Sequence, residues 1–94
     1  MTILPQPKSQ LQEVLCELIL NKAISVRQMM ADTGILNIKA RILDLRRIGL
    51  EIDTEMIKVQ NKYGRSAKFG QWSIPESSKE KARLTYLKMI EDEQ

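Results

Sequence analysis

Residues 25 to 49 read SVRQMMADTGILNIKARILDLRRIG, and the spacing of caps and apolar side chains in this stretch decides the fold. Ser25 stands three residues before Gln28, the capping-box spacing, and so opens a short helix in which Val26, Met29 and Met30 share a face. Gly34 supplies the positive φ that ends it, since a residue without a Cβ enters the left-handed region at no steric cost. After the bend at Thr33, Gly34 and Ile35, Asn37 is a good N-cap for the next helix. Its inward stripe is Ile38, Ile42, Leu45 and Ile48, and Gly49 stops it. Two short helices across a tight bend form a helix-turn-helix.

Upstream, Pro5 and Pro7 discourage helix, and Ser9 with Gln12 forms a second capping box. Leu11, Val14, Leu15, Leu18, Ile19 and Lys22 then recur at helical spacing, which predicts a first helix over residues 10 to 22. Cys16 and Leu20 form a smaller apolar pair on its opposite side.

Downstream the period changes. Ile52, Ile57 and Val59 lie in a β-compatible run that predicts a strand over about residues 54 to 60, with a slip of alternation near Met56 that suggests a bulge or a short bend. The polar segment NKYGRS (61–66) is a turn. The run AKFGQWSI (67–74) then puts Lys68, Gly70, Trp72 and Ile74 on one side and Ala67, Phe69, Gln71 and Ser73 on the other. Trp72 shares its side with Ile74 and is assigned to the core, because one large ring fills much of so small an interior. Pro75 closes the hairpin. Ser77 with Glu80 then opens a final helix with an apolar arc of Ala82, Tyr86, Met89 and Ile90, joined by Leu87, and a wet side at Lys81, Thr85 and Lys88.

The order is three helices, a two-stranded hairpin and an extra C-terminal helix: a mostly α chain with a small β-hairpin, the order of a winged helix-turn-helix. The division read from the sequence is an N-terminal arm over 1–8, the winged domain over 9–75 and an amphipathic helix over 76–94. With 94 residues the chain suffices for one core.

Residues 40–52, ARILDLRRIGLEI, and 58–64, KVQNKYG, followed by the aromatic of QWSI (71–74), resemble the small winged helix-turn-helix domains common in bacteria and their phages. The match covers about residues 9 to 75. The resemblance implies DNA binding, in transcription control or in accessory roles for phages and mobile elements. One departure is Leu43, where that family usually carries a small polar residue. It lies roughly 140° around the helix from Ile38, on the outward side. There it suits either a thymine methyl in the major groove or a protein contact.

Charge points the same way. The net charge is +3, yet residues 38–74 carry eight basic and four acidic groups, so the third helix and the wing are the positive part of the molecule. The outward arc of the third helix holds Lys39, Ala40, Leu43 and Arg47, with Arg41 and Arg46 on its shoulders. An eleven-residue helix is about 16 Å long and fits a major groove roughly 12 Å wide. Ala40 permits close approach, and Lys39 and Arg47 suit guanine edges or phosphate. Asp44 opposes phosphate unless paired, and an Arg41–Asp44 pair that orients the arginine is the preferred reading of both. In the wing, Lys62, Arg65 and Lys68 surround Tyr63 and Gly64 at a flexible tip suited to nonspecific contact. Arg27 and Gln28, at a helix N-terminus, are further phosphate candidates.

Other classes are disfavoured. One cysteine and no histidine leave no structural zinc set and no intramolecular disulfide, and Cys16 reads as a small buried hydrophobe. No nucleophile–base pair or phosphate-cradling glycine loop is present, so no enzyme activity and no cofactor are expected. No apolar run approaches the roughly 20 residues of a membrane span, and no secretory segment opens the chain, so a cytoplasmic location is expected. The apolar arc of the last helix and the Cys16–Leu20 pair need partners. They pack within one chain or across a two-fold axis, and the homodimer is the preferred expectation. The competing function is a winged-helix protein-interaction module, such as a phage factor that binds and inhibits a host complex.

Overall fold

A computed structural model describes residues 4–92. The arm expected over 1–8 therefore lies outside the described residues at 1–3, as does the tail at 93 and 94. The elements run α1 (Gln10–Leu20), β1 (Ile24–Ser25), α2 (Val26–Thr33), α3 (Ile38–Arg47), β2 (Asp53–Gln60), β3 (Ser66–Ser73), a 3-10 turn (Glu76–Ser78) and α4 (Lys79–Asp92). This is a mostly helical winged helix-turn-helix.

Ser9 and Ser25 cap their helices as their spacing predicts. Ser9 Oγ accepts from the Gln12 amide and Ser25 Oγ from the Gln28 amide. The Gln12 side chain returns to the Lys8 amide at 2.7 Å, whereas that of Gln28 turns forward to Asp32 at 2.8 Å. Gly34 takes φ 73° at the end of α2 and donates to the Met30 carbonyl. Asn37 makes no side-chain cap bond. The bend between α2 and α3 is held instead by Thr33, whose hydroxyl donates to the Met29 carbonyl and accepts from the Ile35 amide.

One core unites the elements. Val14, Leu15 and Leu18 of α1, Met29 of α2, Ile38, Ile42 and Leu45 of α3, Trp72 and Ile74, and Ala82, Tyr86 and Ile90 of α4 are all buried in it. Each large side chain so placed contributes about 1.5–3 kcal/mol.

Several expectations are corrected here. α1 ends at Leu20 rather than 22, because Asn21 leaves the helix in an extended conformation and its side-chain amide donates to the Glu17 carbonyl. Cys16 is buried in the core while Leu20 is exposed, so the two do not form one apolar patch. Ile48 is 50% exposed rather than inward, since it lies just past α3, where φ 101° at Gly49 turns the chain. Met30 is exposed as well. The wing carries a third strand: β1 adds to β3 in the order β1-β3-β2, with Ile24 opposite Trp72. Two residues are too short for any periodicity to announce them. No bulge interrupts β2, whose register with β3 runs unbroken from Asp53↔Ser73 to Gln60↔Ser66. The alternation slips at Met56 because much of β2 is exposed and side selection is weak there.

The expected Ser77 cap is replaced by the 3-10 turn, so α4 begins at Lys79. The Lys79 ammonium donates to the carbonyls of Leu18, Ile19 and Asn21 at 2.9, 3.3 and 3.0 Å, satisfying the open end of α1. Burial holds this ammonium below its ordinary pKa, and Glu76 partly offsets that shift. Lys81 ties α4 to the turn after α3, donating to the Gly49 carbonyl at 3.0 Å. Ala82, Tyr86, Met89 and Ile90 of the α4 arc pack within the chain, chiefly on α1, whereas Leu87, expected to join them, is exposed, and Tyr86 donates its hydroxyl hydrogen to the Pro5 carbonyl.

Candidate nucleic-acid interface

With Ile38, Ile42 and Leu45 anchored in the core, helical geometry turns Lys39, Leu43 and Arg47 to the outside, where all three are exposed. Ala40 beside them is half-buried, as are Arg41 and Asp44. Asp44 gathers its neighbours. Arg41 Nη2 lies 3.1 Å from one carboxylate oxygen and Arg47 Nη1 3.8 Å from the other. The Arg41–Asp44 pair is the one read from the spacing. The Arg41 Nε is buried without a hydrogen-bond partner, whereas the Arg47 side chain remains 77% exposed.

Arg46 is engaged elsewhere. Its Nε and Nη2 donate to the Ile52 carbonyl at 3.2 and 2.6 Å, and Nη2 also donates to Thr54 Oγ1 at 2.8 Å. Its guanidinium therefore bolts α3 to the first residues of the wing rather than standing outward.

Between α3 and the sheet lies a cleft of about 240 Å³ lined by Lys39, Ile42, Leu43, Arg46, Thr54, Gly70 and Trp72. Its floor is apolar and its rim cationic. Alternation along β3 puts Lys68 on the same face as Gly70 and Trp72, and the register sets Lys58 directly opposite Lys68. Two lysines in that relation repel each other, so they bring positive potential at a cost to the sheet. Lys58 was not singled out in the sequence. Nothing local marks it; only the register of β2 on β3 places it beside Lys68.

The wing tip is stitched rather than loose. Asn61 Oδ1 accepts from the amides of Tyr63 and Arg65, and the Asn61 amide donates to the Arg65 carbonyl at 2.8 Å. Lys62, Tyr63 and Arg65 are exposed on it, and Lys62 Nζ lies 5.1 Å from the centre of the Tyr63 ring.

Arg27 and Gln28 stand apart from the cleft. Arg27 lies 5.8 Å from the Phe69 ring, and Phe69 alternates to the face of β3 away from Gly70 and Trp72. Gln28 is exposed, with its amide turned to Asp32. The molecule thus brings Lys39, Leu43, Arg46 and Lys68 to one side of the sheet and leaves Arg27 on the other.

Cys16 offers no reactive centre. Burial raises its thiol pKa, the Tyr86 hydroxyl partly counters this, and Glu17 adds to the rise. Among the described residues no group of side chains suited to a metal ion occurs, and no helix is long and apolar enough to cross a membrane.

Among curated proteins none matches the chain. The sequence profile of the family described as a winged helix-turn-helix domain matches residues 9–76 of the 94. Its boundaries run from the Ser9 cap of α1 to the residue after Pro75, leaving α4 beyond them. The chain belongs to the winged helix-turn-helix domain family.

Proposed function

We propose that this protein binds double-stranded DNA sequence-specifically, with α3 in the major groove and the wing along the backbone. Its role is that of a small transcription regulator or an accessory factor of a phage or mobile element. The observation that carries this reading is the Lys58–Lys68 pair beside the cleft of α3. Like charges directly opposite in a ladder destabilise the free protein and are relieved by an anion. In this reading Lys39 and Arg47 meet base edges or phosphate, Ala40 lets the backbone approach, and Arg41 and Arg46 act through the geometry they hold. Lys62, Tyr63, Arg65 and Lys68 follow the sugar-phosphate backbone, and Arg27 with Gln28 provides a peripheral phosphate contact.

A gel-shift titration across ionic strengths tests this. About five phosphate contacts give a log–log salt slope near −4 to −5. Weak binding to every duplex, nearly flat with salt, would show the reading to be wrong.

A second reading, a protein-interaction module that binds a host complex, is favoured by exposed Leu36 and Leu43, at 84% and 50%. The same titration separates the two. A homodimer through α4 would rest on Leu84 and Leu87, the leucines of its outer side, because the rest of the arc is covered within the chain. Sedimentation equilibrium of the wild type and the Leu84→Ala, Leu87→Ala double variant decides that point.

A further inference from the structure

We infer that part of the sequence information taken up by α3 is carried by the C5-methyl group of thymine, received by Leu43 and the apolar cleft behind it. The inference rests on the DNA-binding reading above and names the base class that this site selects.

The argument begins with what the arginines are doing. A guanidinium reads guanine by presenting two N–H groups to O6 and N7, which requires that fork to be unengaged. Arg46 has its fork on the Ile52 carbonyl and the Thr54 hydroxyl. Arg41 is held at 3.1 Å on Asp44, whereas Arg47, 3.8 Å from the same carboxylate and 77% exposed, keeps its fork free. Arg41 and Arg46 are thus withdrawn from the outward arc, and the exposed Lys39 and Arg47 stand toward its two ends.

What remains at the centre is apolar. Leu43 is half-exposed, with Ala40 one turn back, and behind it the cleft is floored by Ile42 and Trp72. Gly70 contributes no side chain to that floor, and a Cβ there would lie 3.9 Å from the Trp72 ring. An exposed leucine opening into such a cleft gains by covering another apolar group. The flanking charge specifies the molecule that carries this group. Lys39 on the rim and the Lys58–Lys68 pair call for an anion around the methyl. Thymine in the major groove is the methyl-bearing base of a polyanion. An apolar protein surface would leave the lysine pair unrelieved.

The test uses the whole chain and duplexes that it selects from a random library. Each thymine in a selected duplex is replaced in turn by deoxyuridine, which pairs identically and lacks only the C5-methyl. At one or two positions the wild type should lose roughly three- to fivefold in affinity, the equivalent of one methyl no longer buried. Leu43→Ala, whose fold is checked by its circular dichroism and melting temperature, should bind thymine and uracil duplexes alike at those positions. If every uracil substitution leaves wild-type affinity unchanged while selected duplexes are still preferred over random DNA, the methyl inference is overturned and DNA binding stands. Retention of the thymine preference by Leu43→Ala also overturns it. If no duplex is bound at all, the DNA reading itself falls. The uracil arm needs no variant protein.

Discussion

The guanidinium of Arg46 donates to the main-chain carbonyl of Ile52 through both Nε and Nη2, the shorter bond being 2.6 Å. Ile52 immediately precedes β2, so this bond sets how the wing leaves the helix. A fork of donors in one plane defines a direction as well as a distance, which a single ammonium does not. The arginine next to the outward arc of α3 thereby becomes a joint between reading helix and wing.

Arg46→Ala should therefore lower stability by about 1 kcal/mol, the usual worth of a partly exposed hydrogen-bonded contact. It should weaken binding to selected and random duplexes by the same factor. Arg46→Lys should restore only part of either loss. Urea unfolding and paired titrations check this; a change confined to selected duplexes would instead make Arg46 a reader of bases.

The outward arc predicts opposite effects at two neighbours. Arg47→Ala should weaken specific binding by about 1–3 kcal/mol with the fold intact, because its exposed side chain supports no buried contact. Asp44→Asn removes a negative charge from the same side and releases both arginines. It should strengthen binding to random duplexes and steepen the salt slope by about one. The surface ion pairs it breaks contribute about 0–1 kcal/mol of stability.

Trp72 lies in the core opposite both Ile24 and Thr54, so it fastens β1 and β2 to the helices through β3. Trp72→Ala should cost about 3–5 kcal/mol, a large share of the total stability of about 5–15 kcal/mol usual for a domain. Far-UV circular dichroism with denaturant titration should show a largely unfolded protein or a strongly reduced midpoint.

A pH effect follows from Glu17 on α1. Burial raises its carboxyl pKa above the ordinary 4.5, and Asp32 of α2 adds to the rise both by hydrogen bonding and by its like charge. A raised folded pKa means that the native state binds more protons than the unfolded chain in that window. Stability from this group is complete below 4.5 and is lost as pH rises through the folded value. Glu17→Gln should be more stable than wild type at neutral pH, and the advantage should disappear below about pH 4. Equal stability at pH 7 would refute the assignment.

Much of this was legible along the chain. Ser9, Ser25 and Gly34 act within three or four residues of themselves, so their roles could be read from spacing. The apolar stripe of α3 was legible for the same reason, except at Ile48. There Gly49 turns the chain, and a helical period no longer predicts which side faces the core. In the candidate site, Leu43 and the Arg41–Asp44 pair followed from helical geometry. The engagement of Arg46 did not, because its partner is a carbonyl beyond the end of the helix. Lys58 was invisible as well, since its significance is the identity of the residue across the ladder.

The sequence alone determined the order of elements, the inward stripe of α3 and the positive middle of the chain, all consequences of side-chain period and local composition. Tertiary structure decided which cations stand clear, which leucine opens into a cleft, and that α4 is held to the body through Lys79, 61 residues from Leu18. Periodicity and capping operate within one or two turns. Cross-strand register and the satisfaction of distant carbonyls depend on where the folded chain returns, and no local pattern encodes that return.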